Sequence, residues 1–134
     1  MTKKITLVEV IEHVEKFHDA FGIKNEHEPT AEISEKEGQL RFDLMREENE
    51  EYLEAIQNGD LVEIADALGD MLYILCGTIL KHGLKDKIQA VFEEIQRSNM
   101  SKLDANGKPI YREDGKVLKS ELYFKPDITK MLEG

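Results

Sequence analysis

Hydrophobic residues recur at steps of three and four along four segments of the chain, which is the spacing of amphipathic helices. The first segment covers roughly residues 5–21, and the second begins between residues 34 and 39 and ends at about 57. The third and fourth cover roughly residues 60–83 and 84–99. Thr6 and Glu9 have the spacing of a capping box at the first segment, and Asp60 is placed to cap the third. Asn58-Gly59 is a turn signal between the second and third segments. We therefore predict four helices with short connections, arranged as a bundle.

The pattern changes after about residue 100. Asp114-Gly115 is a turn signal between Ile110-Tyr111 and Val117-Leu118, as in a small β-hairpin. We predict one all-α domain over residues 1–134, with a helical core at about 5–100 and a short hairpin extension at about 101–134.

Composition supports one domain packed from aliphatic side chains. The 134 residues are 40% hydrophobic and 7% aromatic, with no Trp. The only cysteine, Cys76, cannot form an intrachain disulfide, and no apolar run reaches the roughly 18 residues of a membrane helix. We therefore predict a cytoplasmic protein that does not enter the membrane. A net charge of -10 disfavours a broad nucleic-acid interface.

Acidic residues occupy positions on the second helix where a bundle would favour apolar ones. Glu48 and Glu51 fall within a stripe bounded by Leu44 and Ala55, and Glu47 lies on its edge. A buried carboxylate needs a cation, a hydrogen-bond donor or a raised pKa. No Lys or Arg occurs from Glu47 to Leu80, so we expect a cation from outside the chain.

The third helix carries Glu63, Asp66 and Asp70 on one face. A solvated acidic surface would explain them, but such a surface normally includes Lys or Arg. The same row continues into Tyr73 and Ile74, which are not typical solvent-facing choices. We therefore favour a helix buried on both sides, with a second subunit as one candidate cover for its apolar half.

Carboxylates from these two helices can converge on one site. Ligation by oxygen alone suits Mg²⁺, with Mn²⁺ as a substitute, whereas zinc sites use His and Cys. Glu15-x-x-His18 has the spacing of one di-iron half-site, but a second such pair on another helix is missing. The sequence therefore favours a magnesium site over zinc or di-iron.

Two motifs at this spacing resemble a known family. Glu47-Glu48-x-x-Glu51 is followed by Glu63-x-x-Asp66 and then by Gly69-Asp70-x-x-Tyr73. This order resembles the EExxE and ExxD signature of the MazG-like all-α nucleoside triphosphate pyrophosphohydrolases. The segments at 97–103 and 111–118 are similar to the phosphoribosyl-ATP pyrophosphohydrolase-like branch.

The resemblance implies a Mg²⁺-dependent cleavage of a nucleoside triphosphate to a monophosphate and pyrophosphate, by a homodimer or a dimer of dimers. It implies that the metal is held by Glu48, Glu51, Glu63 and Asp66. Glu47 would hold a second metal or orient the attacking water, and Asp70 would be a further ligand or support the site. The choice of general base between Glu47 and Glu48 stays open.

A pyrophosphate leaving group also calls for fixed cations. The candidates are Lys102 first, then Arg97, with Lys116 and Lys119 on the hairpin; each could instead be a solvated basic residue. Asn99 could contact a base or cap the fourth helix. His18, with Phe17 and Phe21, could line a base pocket, although core packing is the simpler interpretation.

Two alternatives remain. Phosphoribosyl-ATP is the other substrate considered, but the long tail departs from a minimal enzyme of that kind. A non-catalytic nucleotide-binding helical module is the other class. The sequence leaves the preferred base and sugar open.

Overall fold

The computed structural model describes residues 3–134, in which helix predominates at 58% of the chain. The elements are α1 (Leu7–Ala20), α2 (Glu35–Gln57), α3 (Leu61–Lys81), α4 (Ile88–Met100), β1 (Ile110–Tyr111), β2 (Val117–Leu118) and α5 (Ile128–Glu133). The prediction of an all-α fold is confirmed. The chain divides into two compact units, Met1–Asp86 and Lys87–Gly134. The single-domain boundaries stay a prediction.

The first unit is built around α3, which packs against both α2 and α1. Its small core contains aliphatic side chains together with Cys76. The fully buried hydrophobic residues are Ile11, Val14, Ala55, Ala67, Cys76 and Leu80. The predicted apolar stripes of α1 and α2 supply Ile11, Val14 and Ala55. On α3 the spacing predicted a different side, because its Leu61, Leu68, Leu72 and Leu75 are exposed in one chain.

The helix starts in this unit are fixed by the capping residues that the sequence contains. The Thr6 side chain accepts from the Glu9 N–H at 3.1 Å, and the Glu9 carboxylate accepts from the Thr6 N–H at 3.1 Å. Asp60 accepts from the Glu63 N–H at 3.1 Å and so caps α3. Both predicted caps are confirmed.

The loop between α1 and α2 closes over the C-terminal end of α3. The Glu26 N–H donates to the Leu80 carbonyl at 3.0 Å, and the Thr30 N–H donates to the His82 carbonyl at 2.9 Å. The buried Lys81 ammonium donates to the Lys24 carbonyl at 2.7 Å. The loop thereby satisfies carbonyl groups that a helix end leaves without partners.

The fourth helix starts later than predicted, at Ile88 instead of about Leu84. The Leu84 N–H donates to the Ile79 carbonyl at 3.0 Å, and Lys85 pairs with Glu15 on α1 at 3.0 Å. Residues 84 and 85 therefore complete the end of α3 before a new helix can begin.

The second unit contains α4, the hairpin and α5. The hairpin pairs Ile110 with Leu118 and Tyr111 with Val117, which confirms the predicted strands. The buried Glu94 of α4 accepts from the Asp127 N–H at 2.8 Å, immediately before α5. The sequence analysis did not predict α5, which packs against α4.

Within residues 3–134, no helix combines the length and the apolar character needed to cross a membrane.

Candidate metal centre

The site lies between α2 and α3, which run antiparallel. Glu48 of α2 approaches Asp70 of α3, while Arg41, two turns earlier on α2, bonds to Thr78, two turns later on α3. A three-residue connection, Asn58 to Asp60, joins the two helices. Acidic residues near the middle of each helix therefore face one another.

Three carboxylates form the acidic cluster, which we define as Glu48, Glu51 and Asp70. Each offers an oxygen that lies within 4.8 Å of the oxygens offered by the other two. Glu48 is partly buried, and Glu51 and Asp70 are exposed. Such a cluster could bind a metal ion, because hard divalent cations take carboxylate oxygens as ligands.

Glu48 has the most perturbed environment of the three. Burial is the largest cause that raises its pKa, followed by a hydrogen bond with Glu51 and the negative charges of Glu51, Asp70 and Asp66. Together they raise the pKa of Glu48 from 4.5 to about 7. Its Oε2 atom is buried without a hydrogen-bond partner among residues 3–134. An unpartnered buried carboxylate oxygen is unfavourable, and a cation would satisfy it.

A second acidic region adjoins the cluster through Glu51. This acidic cavity has a volume of about 430 Å³ and lies near the joined ends of α2 and α3. It is lined by Glu51, Glu54, Ala55, Asn58, Glu63 and Asp66. Glu63 and Asp66 thus lie beside Glu51, as the motif spacing predicts.

Two residues of the cavity, Glu54 and Asn58, were not predicted as site residues. Glu54 lies one helical turn after Glu51, and Asn58 one turn after that, so their spacing places them on the same face. This helical spacing after Glu51 was the sequence signal that could have identified both residues. Asn58 was interpreted only as part of a turn.

Three of the predicted acids, Glu47, Glu63 and Asp66, are more exposed to solvent than the sequence suggested. Glu47 is exposed and lies outside both the acidic cluster and the acidic cavity of the described chain. Glu63 and Asp66 are also exposed. The prediction that α3 is buried on both sides is wrong within one chain, because Leu68 and Leu72 remain about half exposed.

The two arginines of α2 are committed to other groups. Arg46 pairs with Asp43 at 3.5 Å and Glu50 at 3.8 Å. Arg41 donates to Thr78 and to the Ile74 carbonyl, each at 3.1 Å. These contacts agree with the expectation that the acids need a cation from outside the chain.

The predicted phosphate-binding residues all belong to the second unit. Arg97 pairs with Glu94 at 3.0 Å and stacks over the Phe124 ring at 5.1 Å. Lys102 is partly buried just after α4, and Asn99 and Lys116 are exposed. The acids belong to the first unit.

The candidate residues on α1 have structural roles. His18 is buried, and its Nδ1 lies 2.6 Å from the Asn25 side-chain oxygen. Phe17 packs edge-on against Tyr73 at 5.6 Å between ring centroids, and Phe21 is exposed. Glu15 pairs with Lys85, so the Glu15-x-x-His18 spacing does not form a di-iron half-site.

Comparisons with known proteins identify a family for the part of the chain that carries these acids. The family model for phosphoribosyl-ATP pyrophosphohydrolase matches residues 14–99, a range that contains the acidic cluster and the acidic cavity. An uncharacterized protein of Acanthamoeba polyphaga mimivirus is 34% identical over 67 residues, which cover 50% of this chain. Those residues cover 27% of the viral protein. The chain belongs to the phosphoribosyl-ATP pyrophosphohydrolase family, an all-α family of MazG-like pyrophosphohydrolases.

Proposed function

We propose that the protein is a Mg²⁺-dependent nucleoside triphosphate pyrophosphohydrolase that releases a nucleoside monophosphate and pyrophosphate, and that it removes unwanted nucleotides from the cellular pool. Family membership supports a hydrolase acting on a phosphoanhydride bond. The acidic cluster and cavity support a polyphosphate substrate that arrives with divalent cations. Carboxylates would otherwise repel the phosphates.

The observation that carries the proposal is the buried, unpartnered Oε2 of Glu48 beside Glu51 and Asp70. A carboxylate retained only for surface charge would point into water. Here burial and neighbouring negative charge hold the pKa of Glu48 near 7, which leaves a proton that a divalent cation can displace. Oxygen-only ligands favour Mg²⁺ or Mn²⁺ over zinc.

In this mechanism Glu48, Glu51 and Asp70 hold one part of the metal site, and Glu63 and Asp66 extend it from α3. Mg²⁺ held by these residues would neutralise charge on the phosphates and lower the pKa of a water molecule. Glu47 or Glu48 accepts the proton of the attacking water as general base. Phosphoryl transfer requires little beyond this placement and electrostatic stabilisation.

The proposed phosphate-binding residues are Lys102 first, then Arg97 and Lys116, with Asn99 as a polar contact. Arg97 is oriented by Glu94 and by the Phe124 ring. We also propose a homodimer or dimer of dimers in the cytoplasm, because several large apolar side chains remain exposed on one chain.

Phosphoribosyl-ATP is the second candidate substrate, and the family description favours it. The tail after α4 forms a hairpin and a further helix, more than a minimal enzyme of that kind requires. A panel of nucleoside triphosphates together with phosphoribosyl-ATP therefore distinguishes the two. A non-catalytic nucleotide-binding module would bind members of the panel without turnover.

The test measures pyrophosphate release with Mg²⁺ by the wild-type protein and by Glu48→Gln, Glu51→Gln and Asp66→Asn. We expect each substitution to lower kcat by at least about 100-fold while helical content is retained, because a ligand is lost at constant shape. Glu50→Gln is the matched control, since Glu50 is exposed on the same helix and pairs only weakly with Arg46. Turnover by Glu48→Gln at the wild-type rate would falsify the site assignment.

A further inference from the structure

Two polar side chains join α2 to α3 away from the acids. Lys81 of α3 pairs with Glu37 of α2 at 3.0 Å, and Arg41 of α2 makes a two-point contact with α3. Its Nε donates to Thr78 Oγ1 at 3.1 Å, and its Nη2 donates to the Ile74 carbonyl at 3.1 Å. The Thr78 hydroxyl donates to the same Ile74 carbonyl at 2.9 Å. The planar guanidinium is therefore held at two points on one turn of α3, a geometry that a lysine could not reproduce.

The Arg41 guanidinium lies against α3 at Gly77, where the absent side chain leaves room for it. A Cβ on Gly77 would lie 2.7 Å from Arg41 Nη2 and 3.0 Å from His18 Nε2. His18 is in turn held by Asn25, whose amide nitrogen donates to Asp19 at 3.2 Å. The His18 side chain of α1 and the Arg41 side chain of α2 thus meet at Gly77, where α3 has no side chain.

This contact lies on the same helix faces as the acidic cluster. Arg41 and Glu48 are seven residues apart on α2, and Thr78 and Asp70 are eight apart on α3, in each case about two turns. Residues separated by two turns lie on the same side of a helix. Fixing Arg41 against Thr78 therefore fixes the level and the rotation at which Glu48 faces Asp70.

The acids themselves cannot set this register. Glu48, Glu51 and Asp70 are like-charged when ionised, and like-charged carboxylates repel one another. A slip of one residue along a helix moves a side chain by about 1.5 Å. Metal and catalytic sites tolerate displacements of only about 0.5 Å. An attractive contact elsewhere on the same interface is needed to hold the ligands together.

We propose that Arg41 is a positioning residue: anchored on Thr78 and the Ile74 carbonyl over Gly77, it sets the register of α2 against α3 and so brings Glu48 and Glu51 to Asp70 for metal binding. The proposal rests on the proposed function, since it assigns how that metal site is held in shape. Arg41 itself contacts neither metal nor substrate.

The first experiment measures binding of Mn²⁺ alone to the full chain, by electron paramagnetic resonance of the free ion, below the Tm of each variant. Arg41→Met keeps the aliphatic stem and removes both donors. We expect its Kd for Mn²⁺ to rise about tenfold, the effect typical of losing a group that orients metal ligands. Arg46→Met is the control, since Arg46 is an arginine of the same helix with exposed, loose pairs, and its Kd should stay within about twofold.

A second pair of variants separates the hydroxyl contact from general packing. Thr78→Val keeps the shape of the side chain but removes the acceptor for Arg41, whereas Thr78→Ser keeps the hydroxyl and loses a methyl group. We expect Thr78→Val to weaken Mn²⁺ binding and Thr78→Ser to retain it. A role in packing alone gives the reverse order. These milder variants also keep the test decisive if Arg41→Met does not fold.

The Mg²⁺ dependence of turnover distinguishes a positioning role from a purely structural one, because a loss of stability alone would not change it. The Mg²⁺ concentration for half-maximal pyrophosphate release should rise in Arg41→Met, with kcat largely recovered at saturating Mg²⁺. A lower kcat with unchanged half-saturation would show only a smaller folded fraction and would overturn the proposal. Wild-type Mn²⁺ affinity in folded Arg41→Met would overturn it as well while leaving the proposed function intact. Failure of the wild-type protein to bind Mn²⁺ would overturn both.

Discussion

Glu48 shows how position alone gives one carboxylate a property that its neighbours lack. The chain carries a dense series of acids on α2, yet within residues 3–134 only Glu48 has a buried side-chain oxygen that no group satisfies. The apolar stripe that contains Glu48 predicted this burial, since Leu44 and Ala55 define the face turned to α3. At this scale the sequence predicted the partial burial of Glu48, whereas the metal-binding roles of the acids stay a prediction.

The raised pKa of Glu48 predicts a pH dependence of stability. In metal-free protein, the unfolded chain releases this proton near pH 4.5, whereas the folded chain keeps it to about pH 7. The stability contributed by the protonated residue is thus fully present below pH 4.5 and is lost as the pH rises through about 7. We expect the wild-type Tm in EDTA to fall over this window relative to that of Glu48→Gln, which cannot ionise.

Thermal unfolding followed by circular dichroism at a series of pH values measures this difference. Saturating Mg²⁺ should reduce it, because the bound ion favours the ionised carboxylate. Parallel pH profiles for the wild-type protein and Glu48→Gln in EDTA would contradict the prediction.

What the sequence did not reveal at the residue scale depends on distant partners. Arg41 and Thr78 are 37 residues apart, and neither residue interrupts the pattern of polar and apolar positions in its own helix. The spacing of residues on α2 and α3 therefore gave no sign of this contact. Gly77 was the available signal, because a glycine within a helix often marks the close approach of another group.

At the scale of elements, local signals predicted most boundaries. Caps act over three residues, so the pairs at Thr6 and Asp60 could be identified from spacing alone. The predicted start of α4 was wrong, because the true start depends on how the residues before α4 pack against α1. The helix α5 was missed, although Asp127 has a capping role that its residue type permits.

The loop that closes over α3 predicts a strong effect at Gly83. This residue has a φ of +66°, and a Cβ there would lie 2.1 Å from the Glu28 carbonyl oxygen. Gly83→Ala should lower the free energy of unfolding through both the left-handed backbone and the clash. Gly59→Ala is the control, because Gly59 has a φ of +61° with open space around the Cβ position.

We expect Gly59→Ala to cost about 1 kcal/mol, which is the backbone effect alone. Gly83→Ala should cost about 2 kcal/mol more, because the backbone of the loop must move. Urea denaturation of the two variants measures the difference. Equal costs would mean that the loop yields freely and does not hold the end of α3.

At the scale of the whole molecule, apolar surface is more exposed than a small monomer normally leaves it. Leu61 and Val62 at the start of α3 are each 76% exposed, and Phe92 on α4 is 62% exposed. The helical periodicity places Leu61 and Phe92 on apolar faces, which one chain leaves exposed. Selection of a base or sugar depends on pocket shape and a few hydrogen bonds, which helical spacing does not encode, so the sequence left the substrate open.

This exposure predicts an assembly of at least two chains. Sedimentation velocity at micromolar concentration should give at least twice the mass of one chain, because burying such side chains is favourable. Leu61→Asp with Val62→Asp tests whether the start of α3 contributes, and should shift the distribution towards monomer if it does. A wild-type protein that sediments as a monomer would contradict the prediction.

The three-residue connection between α2 and α3 has a consequence for biosynthesis. The acidic cluster comes from one continuous stretch of chain, Glu48 to Asp70, so its oxygens can meet by closing a single short helical hairpin. Contacts so close in sequence form early and rapidly. The ion-binding groups can therefore gather while the ribosome is still translating the C-terminal third of the protein.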